Sequence, residues 1–160
     1  MFSVHIDTAR TWRGGQNQVL LTVMGLRAIG QRAALVAHPE GELLRRVPDR
    51  TDVVPLAPRS EMDIAAAWRL RRLLEDWKPD VIHAHDPHGV AVASLALSMG
   101  GVKPSPALVI SRRVDFNLKK NAFSRWKYRQ VDMFVAASDA IRTMLIADGI
   151  SESRTVTVHE

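Results

Sequence analysis

The sequence contains no cysteine, which excludes disulfide bonds and metal sites built from thiolates. It has no apolar run near the ~20 residues that a transmembrane helix needs. The dinucleotide motif G-x-G-x-x-G and the P-loop motif G-x-x-x-x-G-K-[ST] are also absent, which excludes these two common phosphate-binding loops. No signal peptide precedes the first predicted strand, so we expect a cytoplasmic protein.

The chain has 160 residues, of which 46% are hydrophobic and 24% charged, as in one soluble globular domain. Apolar runs rich in Val, Ile and Ala alternate with helical patterns, which favours a parallel sheet buried on both faces. We therefore predict an α/β fold: a Rossmann-like, doubly wound, mostly parallel sheet of about seven strands. The predicted strands are 2–6, 33–37, 52–56, 80–84, 107–111, 132–136 and 155–158, and the helices 16–29, 40–46, 62–77, 88–99, 124–130 and 139–148.

The chain ends only two residues after its last predicted strand, at Glu160. Because natural termini seldom fall so close behind a core strand, we expect a fragment cut at a domain boundary. Residues 1–160 then form a single domain. Gly30, where the first helix should stop, and Ser138, an N-cap before the last helix, support the predicted boundaries.

The net charge of +5 is unevenly distributed. The segment 112–129, which we call the basic block, has seven basic residues against one acid, Asp115. It predicts either an anionic partner or a solvated surface, and both interpretations remain open. The basic residues are Arg112, Arg113, Lys119, Lys120, Arg125, Lys127 and Arg129. Phe116, Phe123 and Trp126 lie among them as possible apolar anchors.

A Gly14-Gly15 pair follows the first predicted strand, in a loop before a helix at Gln16. Glycines let a backbone approach a ligand closely, and the free N–H groups of a helix start favour phosphate. A plain turn is the commoner explanation for such a pair. Trp12 beside it either stacks on a sugar or covers the core.

Two histidines, His83 and His85, stand at the carboxyl end of the strand that begins at Pro79-Asp80. Open α/β sheets handle ligands at this edge. We predict that His83 is structural and that His85, at the strand end, acts in the site. His88 follows closely, but no further ligand set is evident, so we predict no metal. The remaining histidines, His5, His38 and His159, are assigned to structure or surface.

A phosphoacceptor signalling domain shares this layout, but it needs an aspartate after the third strand, where the chain has Leu56-Ala57-Pro58.

Four segments, in the same order along the chain, resemble the N-terminal half of family 4 glycosyltransferases. They are Trp12-Arg13-Gly14-Gly15-Gln16-Asn17-Gln18, Gly30-Gln31-Arg32, Pro79-Asp80-Val81-Ile82-His83-Ala84-His85, and Val135-Ala136-Ala137-Ser138 with Ile141-Arg142.

The resemblance implies one half of a GT-B fold, in which two Rossmann-like domains face each other across a cleft. It implies a retaining transfer from a nucleotide-sugar donor without metal or cofactor. By position, Gly14 and Gly15 match the loop at the donor diphosphate, His85 matches the catalytic second histidine of H-x-H, and Ser138 matches a serine beside the cleft. We add Gln16 and Arg113 to the residues predicted to bind the diphosphate or the acceptor.

The donor-binding domain with its E-x7-E motif is missing from this sequence, so we expect the acceptor-side half of an enzyme. The predicted partners are a nucleotide-sugar donor, held mostly by the missing domain, and a saccharide or lipid-linked acceptor of cell-envelope polysaccharide or lipopolysaccharide synthesis. The basic block allows peripheral contact with the inner face of the membrane, and no nucleic acid is expected. The alternatives are a non-catalytic module for a phosphorylated or nucleotide ligand, and a metal-dependent hydrolase that uses the histidines.

Overall fold

The computed structural model describes residues 1–114, 117–118 and 121–159. Within them, seven strands alternate with six α-helices. The strands are β1 (Phe2–Asp7), β2 (Arg32–Ala37), β3 (Asp52–Pro55), β4 (Val81–Ala84), β5 (Ala107–Arg112), β6 (Met133–Ala136) and β7 (Thr155–Thr157). The helices are α1 (Gly14–Ala28), α2 (Glu42–Arg46), α3 (Ile64–Trp77), α4 (Pro87–Ser98), α5 (Ala122–Arg129) and α6 (Asp139–Ala147), and a short 3-10 turn (Glu152–Arg154) precedes β7.

The strands form one sheet in the order β3-β2-β1-β4-β5-β6-β7, and every neighbouring pair is parallel. The predicted Rossmann-like fold is therefore confirmed. From β1 the chain adds β2 and β3 on one side, and it then adds β4 to β7 on the other side, so the strand order reverses between β1 and β4. A crevice opens at such a switch point because the loops after the two strands lead to opposite sides.

Two apolar clusters lie on opposite faces of this sheet. Ala34 and Val36 of β2 belong to the larger cluster, which includes residues of α3, α4 and α6. Leu35 and Ala37, which alternate with them, belong to the smaller cluster with Val19 of α1 and Leu43 of α2. Because successive strand residues point to opposite faces, helices cover both sides. This double coverage explains why the strands read as continuous apolar runs.

Side-chain caps fix the starts of four helices. Asp63, Asp86, Asn121 and Ser138 each accept a hydrogen bond from the backbone N–H three residues later. Such caps satisfy N–H groups that have no partner within the helix. The Ser138 cap is confirmed, and Gly30 follows α1 with a φ of 78°. Helix α1 begins at Gly14, so Gly14 and Gly15 form its first turn and not a loop before it.

None of the helices in the described part of the chain is long and apolar enough to cross a membrane. The predicted last strand is present as Thr155–Thr157. Glu160, on which the expectation of a domain boundary depended, lies outside the described residues.

Candidate functional site

A pocket of about 570 Å³ opens at the carboxyl edge of the sheet, beside the switch point. Its wall combines the start of α1, the residues after β4, the end of β5 and the inner side of α5. Among the lining residues are Arg13, Gly15, Gln16, Glu61, His85, Asp86, Arg112, Arg113, Ser124, Lys127 and Tyr128. We call it the switch-point pocket. Each of these segments leaves the sheet at the same edge because the strands are parallel.

Three histidines cluster beside this pocket. His5 of β1 lies directly opposite His83 of β4 in the strand register. His85 follows two residues later, so it projects from the same face as His83. The rings of His83 and His85 stack with their centroids 4.1 Å apart, and His5 lies 5.4 Å from His85 and 5.3 Å from His83. Strand register therefore brings together residues about 80 positions apart.

A chain of hydrogen bonds, which we call the histidine relay, links Arg113, His85, His5 and Ser3. Arg113 Nη1 lies 3.1 Å from His85 Nδ1, His85 Nε2 lies 3.1 Å from His5 Nδ1, and His5 Nε2 lies 3.0 Å from Ser3 Oγ. Because a guanidinium only donates, His85 Nδ1 accepts and the proton of neutral His85 resides on Nε2. His85 then donates to His5, and His5 donates to Ser3. Arg113 thus determines the tautomers of both His85 and His5.

Both ring nitrogens of His85 are engaged in this arrangement. His85 Nε2 points inward to the buried His5, so a ligand in the pocket reaches the ring at Nδ1 by exchanging with Arg113. At that atom His85 accepts a hydrogen bond. His83 takes no part in the relay, because its Nε2 pairs with Ser111 Oγ at 2.8 Å.

Burial keeps all three histidines neutral. Desolvation lowers the pKa of His5 to about 4. Desolvation first, then repulsion from His5 when it is protonated and from Arg113, lowers the pKa of His83 to about 3. Desolvation is also the largest cause that lowers the pKa of His85 well below its ordinary value, and His83, His5 and Arg113 add to it. His85 is therefore a neutral hydrogen-bonding group at pH 7 and not an acid.

Two carboxylates hold the loops around the pocket. Asp86 accepts hydrogen bonds from Thr8 N at 3.0 Å and Thr8 Oγ1 at 2.7 Å, which joins the loop after β1 to the start of α4. Asp7 accepts from the Gln16 side-chain amide at 3.0 Å. Desolvation first, and the charge of Asp86 next, raise the pKa of Asp7 to about 6.

The nitrogens of His5, His83 and His85 lie within 4.8 Å of one another, close enough for a metal site to be considered. Zinc needs ligand nitrogens that converge at about 2.0–2.1 Å in the planes of their rings. Here the rings of His83 and His85 stack on each other, and their nitrogens already pair with Ser111, His5 and Arg113. The Arg113 guanidinium at His85 Nδ1 would also repel a cation. These features favour a hydrogen-bonded relay over a metal centre.

Four predicted site residues line the switch-point pocket together: His85, Gly15, Gln16 and Arg113. A Cβ at Gly15 would lie 3.7 Å from Arg113 Cδ, so α1 starts directly beside the arginine. Gln16 is largely committed to structure, because its amide donates to Asp7 and accepts from Arg13 N. Gly14 adjoins Gly15 in the first turn of α1.

Ser138 and Trp12 lie elsewhere. Ser138 caps α6 through Ile141 N, and it is not among the described residues that line the pocket. The predicted ligand contact of Ser138 thus has no support in this geometry. Trp12 packs against the smaller apolar cluster, with the Arg46 guanidinium 4.4 Å from its ring. This placement agrees with the interpretation of Trp12 as a core residue.

The basic block does not form one surface. Lys127 has a side chain only 2% exposed, and its Nζ lies 2.5 Å from Glu61 Oε2 inside the switch-point pocket. Arg112 and Arg113 line the same pocket, whereas Arg125 and Arg129 are exposed on α5. Phe123 and Trp126 stack on each other and are partly buried. Asp115, Phe116, Lys119 and Lys120 lie outside the described residues.

Sequence analysis missed His5 and Lys127. It assigned His5 to structure or surface, and the residue is indeed buried, but it also pairs with His85. The Rossmann strand order places β1 beside β4, so the shared position of His5 and His83 near the ends of their strands was the available signal. No comparable signal marks Lys127, since its burial depends on how α5 packs.

Comparison with known proteins identifies the fold and the family of this chain. The sequence matches the profile of Glycosyltransferase Family 4 over residues 12–160. No curated protein matches it. Among solved structures, Anabaena Alr3699/HepE in complex with UDP and glucose superposes with a TM-score of 0.77 at 14% identity, covering 100% of this chain and 44% of HepE.

Two further structures show the same fold. The lipopolysaccharide outer core galactosyltransferase WaaB has a TM-score of 0.74 at 12% identity, covering 99% of this chain and 45% of WaaB. The UDP-GlcNAc 2-epimerase from Neisseria meningitidis has a TM-score of 0.69 at 15% identity, covering 98% of this chain and 46% of the epimerase. The chain therefore spans less than half the length of the proteins it resembles. Since transferases and an epimerase share the fold, the family match decides between them, and this chain belongs to Glycosyltransferase Family 4.

Proposed function

We propose that this chain is the acceptor-side, N-terminal domain of a retaining glycosyltransferase. The whole enzyme transfers a sugar from a nucleotide-sugar donor to a saccharide or lipid-linked acceptor in cell-envelope polysaccharide or lipopolysaccharide synthesis. It works in the cytoplasm or on the inner face of the membrane. The printed ligands of HepE, UDP and glucose, and the activity of WaaB on lipopolysaccharide support this proposal.

One observation carries it: the first turn of α1, Arg113 and His85 share one pocket at the switch point of the sheet. The N–H groups at a helix start attract phosphate, and a guanidinium binds phosphate oxygens through two parallel hydrogen bonds. Gly15 and Arg113, which both line this pocket, thus form an anion site next to His85. This is the arrangement that a sugar diphosphate requires: charge recognition beside a neutral hydrogen-bonding ring.

The structure supports a sequence of contacts in which Arg113 changes partner. In the structure Arg113 donates to His85 Nδ1. A diphosphate draws the guanidinium toward its own oxygens because a charge-assisted hydrogen bond is stronger than one to a neutral imidazole. His85 Nδ1 is then available to a hydroxyl of the donor sugar. His5 holds the ring in place from behind throughout.

This mechanism assigns His85 the role of orienting the donor sugar and accepting its hydroxyl hydrogen bond. The depressed pKa of His85 fits that role, since protonation would remove the acceptor. The second half of the enzyme supplies most nucleotide contacts. We therefore expect the isolated chain to melt cooperatively but to transfer no sugar, and transfer by this chain alone would contradict the proposal.

The test compares three histidine variants in the full-length enzyme. His85→Ala should lower kcat by roughly 100-fold or more, the scale of one well-placed polar contact in the transition state. His83→Ala should mainly lower the melting temperature, since it removes the partner of Ser111. His88→Ala is the matched control, because His88 is exposed on α4 and is not among the described residues of the pocket wall.

Two outcomes would contradict the assignment. If His85→Ala keeps full activity while His83→Ala loses it without unfolding, the two roles are reversed. If the full-length protein binds UDP but transfers no sugar to any acceptor, the chain is a binding module instead.

A further inference from the structure

A second pocket of about 500 Å³ adjoins the switch-point pocket between α5 and the segment that follows α6. Leu118 and Tyr128 line both pockets, so the two share a wall. None of the three clustered histidines lines the second pocket. It therefore adjoins the switch-point pocket but lies outside the histidine cluster.

Three arginines face this second pocket, which we call the arginine pocket. Arg125 and Arg129 lie one helical turn apart on α5, and Arg154 comes from the turn before β7. Among the described lining residues, Asp148 is the one acid, and its carboxylate accepts hydrogen bonds from Asn117 Nδ2 and Leu118 N. The charge of the wall thus favours an anion.

Arg154 is held by neutral groups. Its Nη2 donates to the Tyr128 carbonyl at 3.1 Å, and its guanidinium lies 5.7 Å from the Phe134 ring. None of the described carboxylates forms an ion pair with Arg154 or Arg129. By contrast, Arg71 pairs with Glu75 and Arg142 pairs with Glu152 elsewhere on the surface. Arg154 therefore presents a prepositioned positive charge at the pocket.

Arg154 also has a buried donor, Nε, for which none of the described residues supplies an acceptor. Because Nε is shielded from solvent, it supplies no contact to a molecule in the open pocket. Ile150 and Leu118 give the same pocket an apolar side, suited to the sugar ring or chain that carries the charged group.

We propose that the arginine pocket binds a phosphate group carried by the acceptor, at a position remote from the hydroxyl that receives the sugar. This inference rests on the proposed function, because it assumes that an acceptor occupies the switch-point pocket. Arginine favours phosphate because its planar fork of donors matches the oxygens of the anion. The acceptor is then a phosphorylated saccharide or a lipid phosphate, which share this chemistry.

The experiment measures phosphate binding to the chain, with no transfer reaction involved. One arm uses glucose 6-phosphate in calorimetric titrations, with glucose as the uncharged comparison. The other arm uses co-sedimentation with phosphatidylcholine vesicles that do or do not contain phosphatidic acid. The variants are Arg154→Gln and the exposed Arg129→Gln. Arg69→Gln is the matched control, because Arg69 is exposed on α3 and is not among the described residues of either pocket.

Each pocket variant should weaken phosphate binding about 10-fold, the scale of one charge-assisted hydrogen bond, and Arg69→Gln should not. Binding to glucose 6-phosphate identifies a saccharide phosphate, and binding only to phosphatidic acid vesicles identifies a lipid phosphate. No binding in either arm, or equal binding by the pocket variants and the control, overturns the proposal. The binding experiment needs no nucleotide-sugar donor. Phosphate binding by the chain, together with an inactive full-length protein, would therefore refute the proposed transferase but support a phosphate site in the arginine pocket.

Discussion

Acid should destabilise this domain because its three clustered histidines, His5 buried and His83 and His85 partly buried, carry no charge in the folded state. The perturbation is a change from pH 7.5 to pH 5. In the unfolded chain a histidine titrates near its ordinary pKa of about 6.5 and is almost fully protonated at pH 5. In the folded chain the pKa of His5 is about 4 and that of His83 about 3, and that of His85 is also lowered well below the ordinary value.

The unfolded state therefore binds more protons over this range, and stability falls as the pH falls. One pH unit is worth about 1.4 kcal/mol per proton, so each histidine that stays neutral costs about 2 kcal/mol at pH 5. His5 and His83 together cost about 4 kcal/mol, and the lowered pKa of His85 acts in the same direction. Asp7 acts in the opposite direction, because its pKa is raised to about 6. Its protonated form stabilises the folded state at pH 5 by about 1 kcal/mol.

The net loss from His5, His83 and Asp7, about 3 kcal/mol, is a large part of the stability of a small domain. Urea denaturation at pH 7.5, 6.5, 5.5 and 5 measures it. His5→Gln should reduce the loss between pH 7.5 and pH 5 by about 2 kcal/mol, since one buried neutral histidine is removed. His88→Gln should leave the loss unchanged, because His88 is exposed. Equal stability at pH 7.5 and pH 5 would refute the burial argument.

Two further predictions concern the relay and the packing beneath the site. His5→Phe removes the acceptor of His85 Nε2. In the full-length enzyme this change should lower kcat about 10-fold with little change in KM. His5→Asn keeps an acceptor and should recover part of the lost kcat. Equal kcat in both variants and the parent would contradict the positioning role. Gly89→Ala should destabilise the domain by more than about 1 kcal/mol, because the new Cβ would lie 2.6 Å from Asp86 Oδ1. Gly25→Ala, where nothing lies within 4 Å, is the control and should be neutral or stabilising in a thermal melt.

The sequence alone determined the architecture, and the reason is that its signals are local. Strands buried on both faces appear in the sequence as apolar runs, and amphipathic helices repeat apolar residues about every 3.6 positions. Capping residues such as Ser138 mark where helices start. The strand ends were predicted well enough to place His85 at the carboxyl edge. Parallel strands bring all their carboxyl ends together, so the general location of the site followed from the fold class.

Tertiary structure decided which side chains meet at that edge. His5 pairs with His85 because β1 lies beside β4 in register, and no periodicity within either segment encodes that lateral contact. Arg113 engages His85 for the same reason, because it directly follows β5, the neighbour of β4. Lys127 is buried while Arg129 on the same helix is exposed, although the two look alike in a basic run. Burial and charge pairing are long-range properties: they depend on which elements pack together, and sequence spacing fixes only what lies within one element.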